Sequence, residues 1–383
     1  MWLISIKMLL GDKAKYMGII LGLSFASFII VQQASIFTGL MARTYGFIQD
    51  TSQPDIWVMD EKVQFIDDIK PLKETQLYYV KGIEGVKWAV PFYKGLLKAK
   101  LSNGHFQICN IIGIDNATLI GAPPVMVEGK PIDLREPDAI IVNEEGCNEK
   151  LSSNGKNGTP LQVGEVIEIN DHRAKVVGIC KSTPTFQSQP VVYTTYNRAS
   201  TFAPVERNLL SFILVKTNDK KSTNDLCEKI NKTKGLIAYT SEDFKRKTVE
   251  YYMKNTGIPI NFGIAVLLGL VIGMAISGQT FYNFIVSNHK YLATLKAMGA
   301  KNNLITKIVL IQALWVGLIG WGIGVGCAGF FGLFSNESGL SFLLIWQVLL
   351  GSGVAIFSIT VLSALLSLKK IYNSDPAIIF QGK

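Results

Sequence analysis

The sequence predicts an α-helical membrane protein with four transmembrane helices in a one-plus-three order and a large α+β domain inserted between helices one and two. Three observations carry this. Four long runs, Tyr16–Ala42, Asn255–Asn288, Ile308–Asn336 and Ser338–Leu368, contain no Asp, Glu, Lys or Arg. Only 17% of the 383 residues are charged, with a mean hydropathy of +0.28, whereas an ordinary soluble chain carries about 25% charge. The block between the first two runs regains ordinary charge and shows strand-like alternation.

Each uncharged run exceeds the roughly 20 apolar residues that cross a hydrocarbon core, and each must be helical because lipid offers the backbone no hydrogen-bond partner. In chain order, residues 1–15 ("MWLISIKMLLG" and its flank) form an amphipathic interfacial helix with Trp2 as anchor. Residues 16–42 are the first span. Its uncharged length is well beyond the ~7–15 residues of a signal-peptide core, so it is an anchor rather than a leader. Residues 43–254 are the inserted domain, 255–288 the second span and 289–307 a basic connecting segment. Residues 308–336 and 338–368 are the third and fourth spans, and 369–383 form a tail.

Within the inserted block, "DIWVMDE" and "EGVKWAVPFYKGLLKAKL" read as strands, with "PLKETQLYYVKGI" a helix after Pro71. "LLSFILVKT", "STNDLCEKINKT" and "GLIAYT" repeat the strand–helix–strand pattern. The two groups form one split α+β subdomain, 43–124 with 201–254. Between them 125–200 is an inserted β-rich subdomain ("DAIIVNE", "VGEVIEIN", "RAKVVGIC", "PVVYTT"). "SEDFKRKTVEYYMKNTGI" reads as a helix leading directly into the second span, with Pro259 at the start of that span or at a kink.

The charge follows the topology. Residues 43–288 carry 28 basic and 26 acidic side chains, and the rest carry 10 and 3. The excess sits beside the spans: Lys7, Lys13 and Lys15, then Lys290, Lys296, Lys301 and Lys307, then Lys369, Lys370 and Lys383. The positive-inside rule places those three segments, and so both termini, in the cytoplasm, with 43–254 on the far side. Nucleic acid as a partner is excluded, since it calls for a basic patch on a folded domain; membrane lipid is the partner this charge fits.

No phosphate loop GxxxxGK[ST], HExxH or GxSxG occurs, so nothing points to catalysis or to a bound cofactor or metal. The histidines, His105, His172 and His289, are scattered. Cys109, Cys147, Cys180 and Cys227 lie in the inserted block without CxxC spacing; they are either one or two disulfides or four buried thiols. The spans carry no acid or base, which disfavours an ion relay. Gly269 and Gly273 have GxxxG spacing, suited to helix packing within the chain or to a dimer contact.

The segment "SNHKYLATLKAMGAKNNLITK" joins the second span to the third. Leu292, Leu295 and Met298 can share a helical face and Gly299 ends the turn, so a partner protein could dock there; on residues alone, a solvated basic loop obeying the positive-inside rule is the favoured reading. "LATLKAMGAKNNLI" followed by a Gly-rich apolar helix resembles the corresponding segment of permeases of the MacB, LolC/LolE and FtsX superfamily, and "GQTFYNFIVSNHKYLATLKAMGA" resembles the DevC-like branch in particular. "DPAIIFQ", with Asp375 and Pro376, is similar to that superfamily's cytoplasmic tail motif. Many relatives have an acidic residue where this chain has Asn288, His289 and Lys290.

The resemblance implies the non-catalytic permease subunit of an ATP-driven exporter in the bacterial inner membrane. It implies a homodimer, a separate ABC ATPase that uses the ATP, a periplasmic adaptor and an outer-membrane channel. Leu292, Leu295, Lys296, Met298, Gly299 and Ala300 would dock the ATPase, Asp375 and Pro376 would add a tail contact, and motion would pass to the periplasmic domain to expel lipid, peptide or small-molecule cargo. Two alternatives remain at this point: an FtsX-like regulator of a cell-wall hydrolase, and a membrane-anchored sensor or enzyme.

Overall fold

The computed structural model describes residues 8–9, 13–152, 158–204, 209–288, 291, 294–296, 298–337 and 339–372. In chain order these form α1 (Lys13–Asp50), β1 (Ile56–Asp60), α2 (Glu74–Lys81), β2 (Val86–Lys100), β3 (Phe106–Ile114), β4 (Val125–Glu128), β5 (Ala139–Asn143), β6 (Val166–Ile169), β7 (His172–Lys181), β8 (Val191–Thr195), α3 (Tyr196–Phe202), β9 (Phe212–Thr217), α4 (Thr223–Asn231), β10 (Leu236–Thr240), α5 (Ser241–Asn255), α6 (Ile258–Ser287), α7 (Asn302–Glu337) and α8 (Trp346–Tyr372). They divide into two units, Met41–Thr256 and Met1–Leu40 with Gly257–Lys383.

Among the described residues the helical unit contains four helices long and apolar enough to cross a membrane: α1, α6, α7 and α8. Small residues let them approach closely, as lipid-embedded packing requires. A side chain on Gly273 would meet Ala26 at 2.7 Å, one on Gly269 would meet Ile29 at 3.1 Å, and one on Gly324 would meet Ser27 at 2.4 Å. Hydrogen bonds add to this seam: the Ser27 hydroxyl donates to the Trp321 carbonyl (3.2 Å) and the Trp321 indole donates to Ser352 (3.1 Å).

The element bounds differ from the uncharged runs most widely in two places, and α7 begins at Asn302, inside the expected 289–307 connecting segment. α8 begins at Trp346, not at residue 338, because residues 340–345 are outside any helix and are held to α1; the Leu343 N–H donates to the Ser35 carbonyl (3.0 Å) and its carbonyl accepts from Thr38 (2.7 Å). The first helix runs past residue 42 to Asp50. Most of the expected interfacial helix (1–7 and 10–12) and the whole tail after 372 lie outside the described residues; Leu9 is buried in the bundle core.

The other unit is an α+β domain built on one ten-stranded sheet, ordered β10–β1–β9–β2–β3–β8–β5–β7–β4, with β6 bridging β2 and β7. Those pairings close a ring, β2–β3–β8–β5–β7–β6 and back to β2, so one end of the sheet is a small barrel. β2 is long enough to serve both parts. Its first half pairs with β9 (Val90 opposite Leu214) and its second half with β3 (Leu97 opposite Cys109). The expected subdomain boundary at 124/125 therefore gives way to one within β2, since the β-rich section cannot close without 93–114.

β1 shows why both faces are filled. Ile56 and Val58 enter one core with Leu77 and Val80 of α2 and Leu226 and Ile230 of α4. Trp57 and Met59 enter the opposite core with Phe47 and Ile48 of α1 and Phe244 of α5. The period-2 alternation of a strand thus separates two helical layers.

Candidate functional site

Two stretches of chain link the helical unit to the α+β unit: α1, and α5 with the residues that follow it. Both are rooted in the same aromatic cluster. Trp57, fully buried, has Phe92 at 5.8 Å, Phe212 at 5.5 Å, Phe244 at 5.8 Å and Phe47 at 6.5 Å between ring centroids. Phe47 belongs to α1 and Phe244 to α5, so both connectors share one tightly packed core.

The end of α1 is also held by polar contacts. The carboxylate of Asp50 accepts from the Thr183 N–H (2.6 Å) and hydroxyl (2.9 Å), and Arg43 donates to Ser188 (2.9 Å). Gly46 permits the approach: a side chain there would meet Thr183 at 2.3 Å. Burial raises the Asp50 pKa above the usual carboxylate value, and the two Thr183 bonds pull it back only in part.

The start of α5 is fixed by a cap. Thr240 accepts from the Asp243 N–H (3.1 Å) and donates to its carboxylate (2.7 Å), while Glu242 and Asp243 place negative charge in the first turn. The Ser241 N–H reaches the Asp55 carbonyl (3.0 Å). Asp55 holds β1 to β9: burial alone would raise its pKa, but hydrogen bonds from Lys216 and Thr217 outweigh that and leave it lowered.

The expected uninterrupted helix from α5 into the second span is not present. α5 ends at Asn255, Thr256 is extended (φ −120, ψ 153), and α6 starts at Ile258 with Pro259 in its first turn. The reason is the proline. It has no N–H to give a carbonyl one turn earlier and its ring crowds that carbonyl, so it fits the first turn of a helix but not the interior of a continuous one.

Of the segment after the second span, Leu292 lies outside the described residues, as do His289, Lys290, Asp375 and Pro376. The described part ends as sequence reasoning expects of Gly299. The Ala300 N–H reaches the Leu295 carbonyl (3.0 Å), the Gly299 N–H reaches Lys296 (3.0 Å), and Gly299 has φ +92. This is the Schellman arrangement, which needs a left-handed residue that glycine adopts freely. Leu295 and Met298 are in different environments. Leu295 is half-buried against the bundle core, whereas Met298 is 71% exposed. Gly269 and Gly273 face α1 of the same chain.

All five cysteines are free thiols. Burial pushes Cys109, Cys147, Cys180 and Cys227 up to about 12, so they are neutral near pH 7. Among the described residues no cluster of three His, Cys, Asp or Glu side chains offers a metal site. The shared aromatic root and the extension of α1 were missed in the sequence because Arg43 ends the uncharged run; Phe47 and Ile48, one turn beyond it, were the available signal.

Residues 17–233, more than half of the chain, match the family model "MacB-like periplasmic core domain", and residues 256–376 match "FtsX-like permease C-terminal". An uncharacterized ABC transporter permease of Methanocaldococcus jannaschii is 26% identical over 170 residues, 43% of this chain and 42% of that protein. The chain thus spans about two-fifths of the length of the curated relative it matches. Among solved structures, the extracellular domain of the noncanonic ABC-type transporter YknZ from Gram-positive bacteria aligns at 16% identity and TM-score 0.36, covering 48% of this chain and 99% of that one. The periplasmic region of MacB from Actinobacillus actinomycetemcomitans aligns at 16% identity and TM-score 0.37, covering 55% and 96%.

Proposed function

The chain belongs to the family of ABC transporter permeases with a MacB-like core and an FtsX-like C-terminal part, and from that premise we propose that it converts nucleotide-driven motion of a separate ATPase into motion of its α+β unit. The observation that carries this reading is that both connectors are rooted in the Trp57 cluster, so a displacement of α1 reaches the whole sheet rather than a loose loop. In this reading 41–256 faces the periplasm and both termini face the cytoplasm. Two copies work with two ATPase subunits in the inner membrane, and the cargo is a lipid, peptide or small molecule expelled without crossing the spans. A periplasmic adaptor and an outer-membrane duct complete the path, as in the DevC-like branch.

The exposed Met298, presented by a turn that Gly299 fixes, is the docking residue for the ATPase, and Lys296 and Ala300 flank it. Leu292, Asp375 and Pro376 complete the contact. Leu295 plays a different part, holding the short helix to the bundle. Met298→Glu puts a charge into an apolar contact without disturbing the bundle, at a cost of several kcal/mol unless the charge is paired. The variant is expected to insert and dimerise normally yet fail to co-purify with the ATPase. An intact complex with normal stimulated hydrolysis would reduce this segment to a positive-inside loop. Co-purification of a cell-wall hydrolase in place of an adaptor would favour the regulatory reading.

A further inference from the structure

The α+β unit contains a cleft of about 760 Å³ beside the last turn of α5. It lies among residues 65–71, the middle of β2, residues 185–189, residues 209–211 and the last turn of α5. Its volume is within the ~300–1,000 Å³ of small-molecule sites. One wall is a run of four aromatic rings. Phe65 stacks on Tyr251 (4.2 Å, 15°) and meets Tyr252 edge-on (5.5 Å), and Tyr252 meets Phe186 at 4.9 Å.

The polar feature is Lys94, whose side chain is only 2% exposed. Its ammonium pairs with Asp67 and sits 5.8 Å from the centre of the Phe47 ring. Asp67 in turn bonds the Tyr252 hydroxyl; burial, then Asp67, pushes that phenol's pKa up. An ammonium has three N–H donors, and taking it out of water is costly unless they are used. Asp67 takes one of these donors, and Lys94 is among the residues that line the cleft. The charges are already balanced: Lys94 offsets Asp67, and Asp68 is paired with Lys70 at 2.8 Å. A charged guest would have to disrupt one of these pairs, whereas an uncharged guest with an acceptor oxygen completes the set.

We propose that this cleft binds an uncharged amphiphile, its apolar body lying on the four-ring wall and a carbonyl or hydroxyl oxygen accepting a hydrogen bond from Lys94 Nζ. Such a guest joins the last turn of α5 to residues 65–71 and 185–189, directly before the helix break at Thr256. Its occupancy therefore stiffens that connector. The site is formed entirely within residues 41–256 and does not depend on ATPase docking, so the two readings fail separately.

The test uses the full chain in lipid nanodiscs and a palmitoyl monoglyceride carrying a diazirine in its acyl chain, with cross-linked peptides mapped by mass spectrometry. Label is expected in residues 65–71, 185–189 and 251–256 in addition to the membrane helices. Leu96→Trp fills the cleft from a side chain that is 46% exposed; it should cut that label about tenfold, equivalent to about 1.4 kcal/mol, while thermal melting stays unchanged. Lys94→Met should do the same, and if that variant does not fold, Leu96→Trp alone decides. Label confined to the membrane helices, or undiminished in Leu96→Trp, overturns the site. Stronger competition by palmitate or palmitylamine than by unlabelled monoglyceride overturns the uncharged guest.

Discussion

At the residue scale, Asp50 is the most informative single side chain. It is the last residue of α1, where the helix dipole opposes negative charge, and burial raises its pKa. A carboxyl whose folded pKa is raised contributes stability below its unfolded value, near 3.8, and loses that contribution as pH rises through the folded one. Asp50→Asn keeps both Thr183 contacts, because the hydroxyl can turn to accept. It should therefore raise stability at neutral pH by about 0.3–1 kcal/mol, the usual size of a charge effect at a helix end. Asp50→Ala loses both bonds and should cost about 1–3 kcal/mol. Thermal melts of the three proteins at pH 4 and pH 7 measure this; equal melting of Asp50→Asn and wild type at pH 7 would show the charge to be fully solvated. The thiols run the same way at the other end of the scale. Cys109, Cys147, Cys180 and Cys227 stabilise the fold below about pH 9.0 and lose that contribution toward about 12. At pH 8 they should resist maleimide in the native chain and react fully in denaturant.

At the element scale, the two connectors are predicted to behave differently. α1 keeps its backbone hydrogen-bond ladder from Lys13 to Asp50, whereas α5 and α6 are already separated at Thr256 and Gly257. A Gly-Ser insertion after Leu40 should abolish ATP-dependent distance changes between spin labels at Glu228 in the two copies while leaving hydrolysis intact. The same insertion after Thr256 should be tolerated better. If both behave alike, α1 is not the principal transmitter. The glycines of α7 make a second contrast. Gly324→Val drives a side chain into Ser27 and should cost about 1–3 kcal/mol of bundle stability. Gly326→Val has nothing within 4 Å and should be close to neutral. Thermal aggregation of the two purified variants would separate them.

At the scale of the whole molecule, orientation is open to direct test. In a background stripped of native cysteines, Glu228→Cys should label with an impermeant maleimide in intact spheroplasts, and Lys301→Cys only after permeabilisation. Labelling of both in intact cells would refute the positive-inside assignment. Membrane character and the one-plus-three order were legible because lipid imposes a length and a composition on every span, and those are one-dimensional properties. The turn at Gly299 was legible for a similar reason: only a residue free to adopt positive φ closes that motif, and one letter shows it. The strand segments could be read from alternation, since the two faces of β1 differ residue by residue.

What the sequence could not determine is which segments meet. The closure of 93–114 and 139–195 into one barrel depends on pairings far apart in the chain, and strand alternation is the same whichever partner is chosen. The convergence of Phe47, Trp57, Phe92, Phe212 and Phe244 on one core is equally invisible, because each reads locally as an ordinary apolar position. Lys94 is the sharpest case. Along the chain it is one of many lysines on a strand. Only the fold puts it out of water beside Asp67 and Phe47, where the cost of desolvating an ammonium turns an unremarked side chain into the centre of a binding cleft.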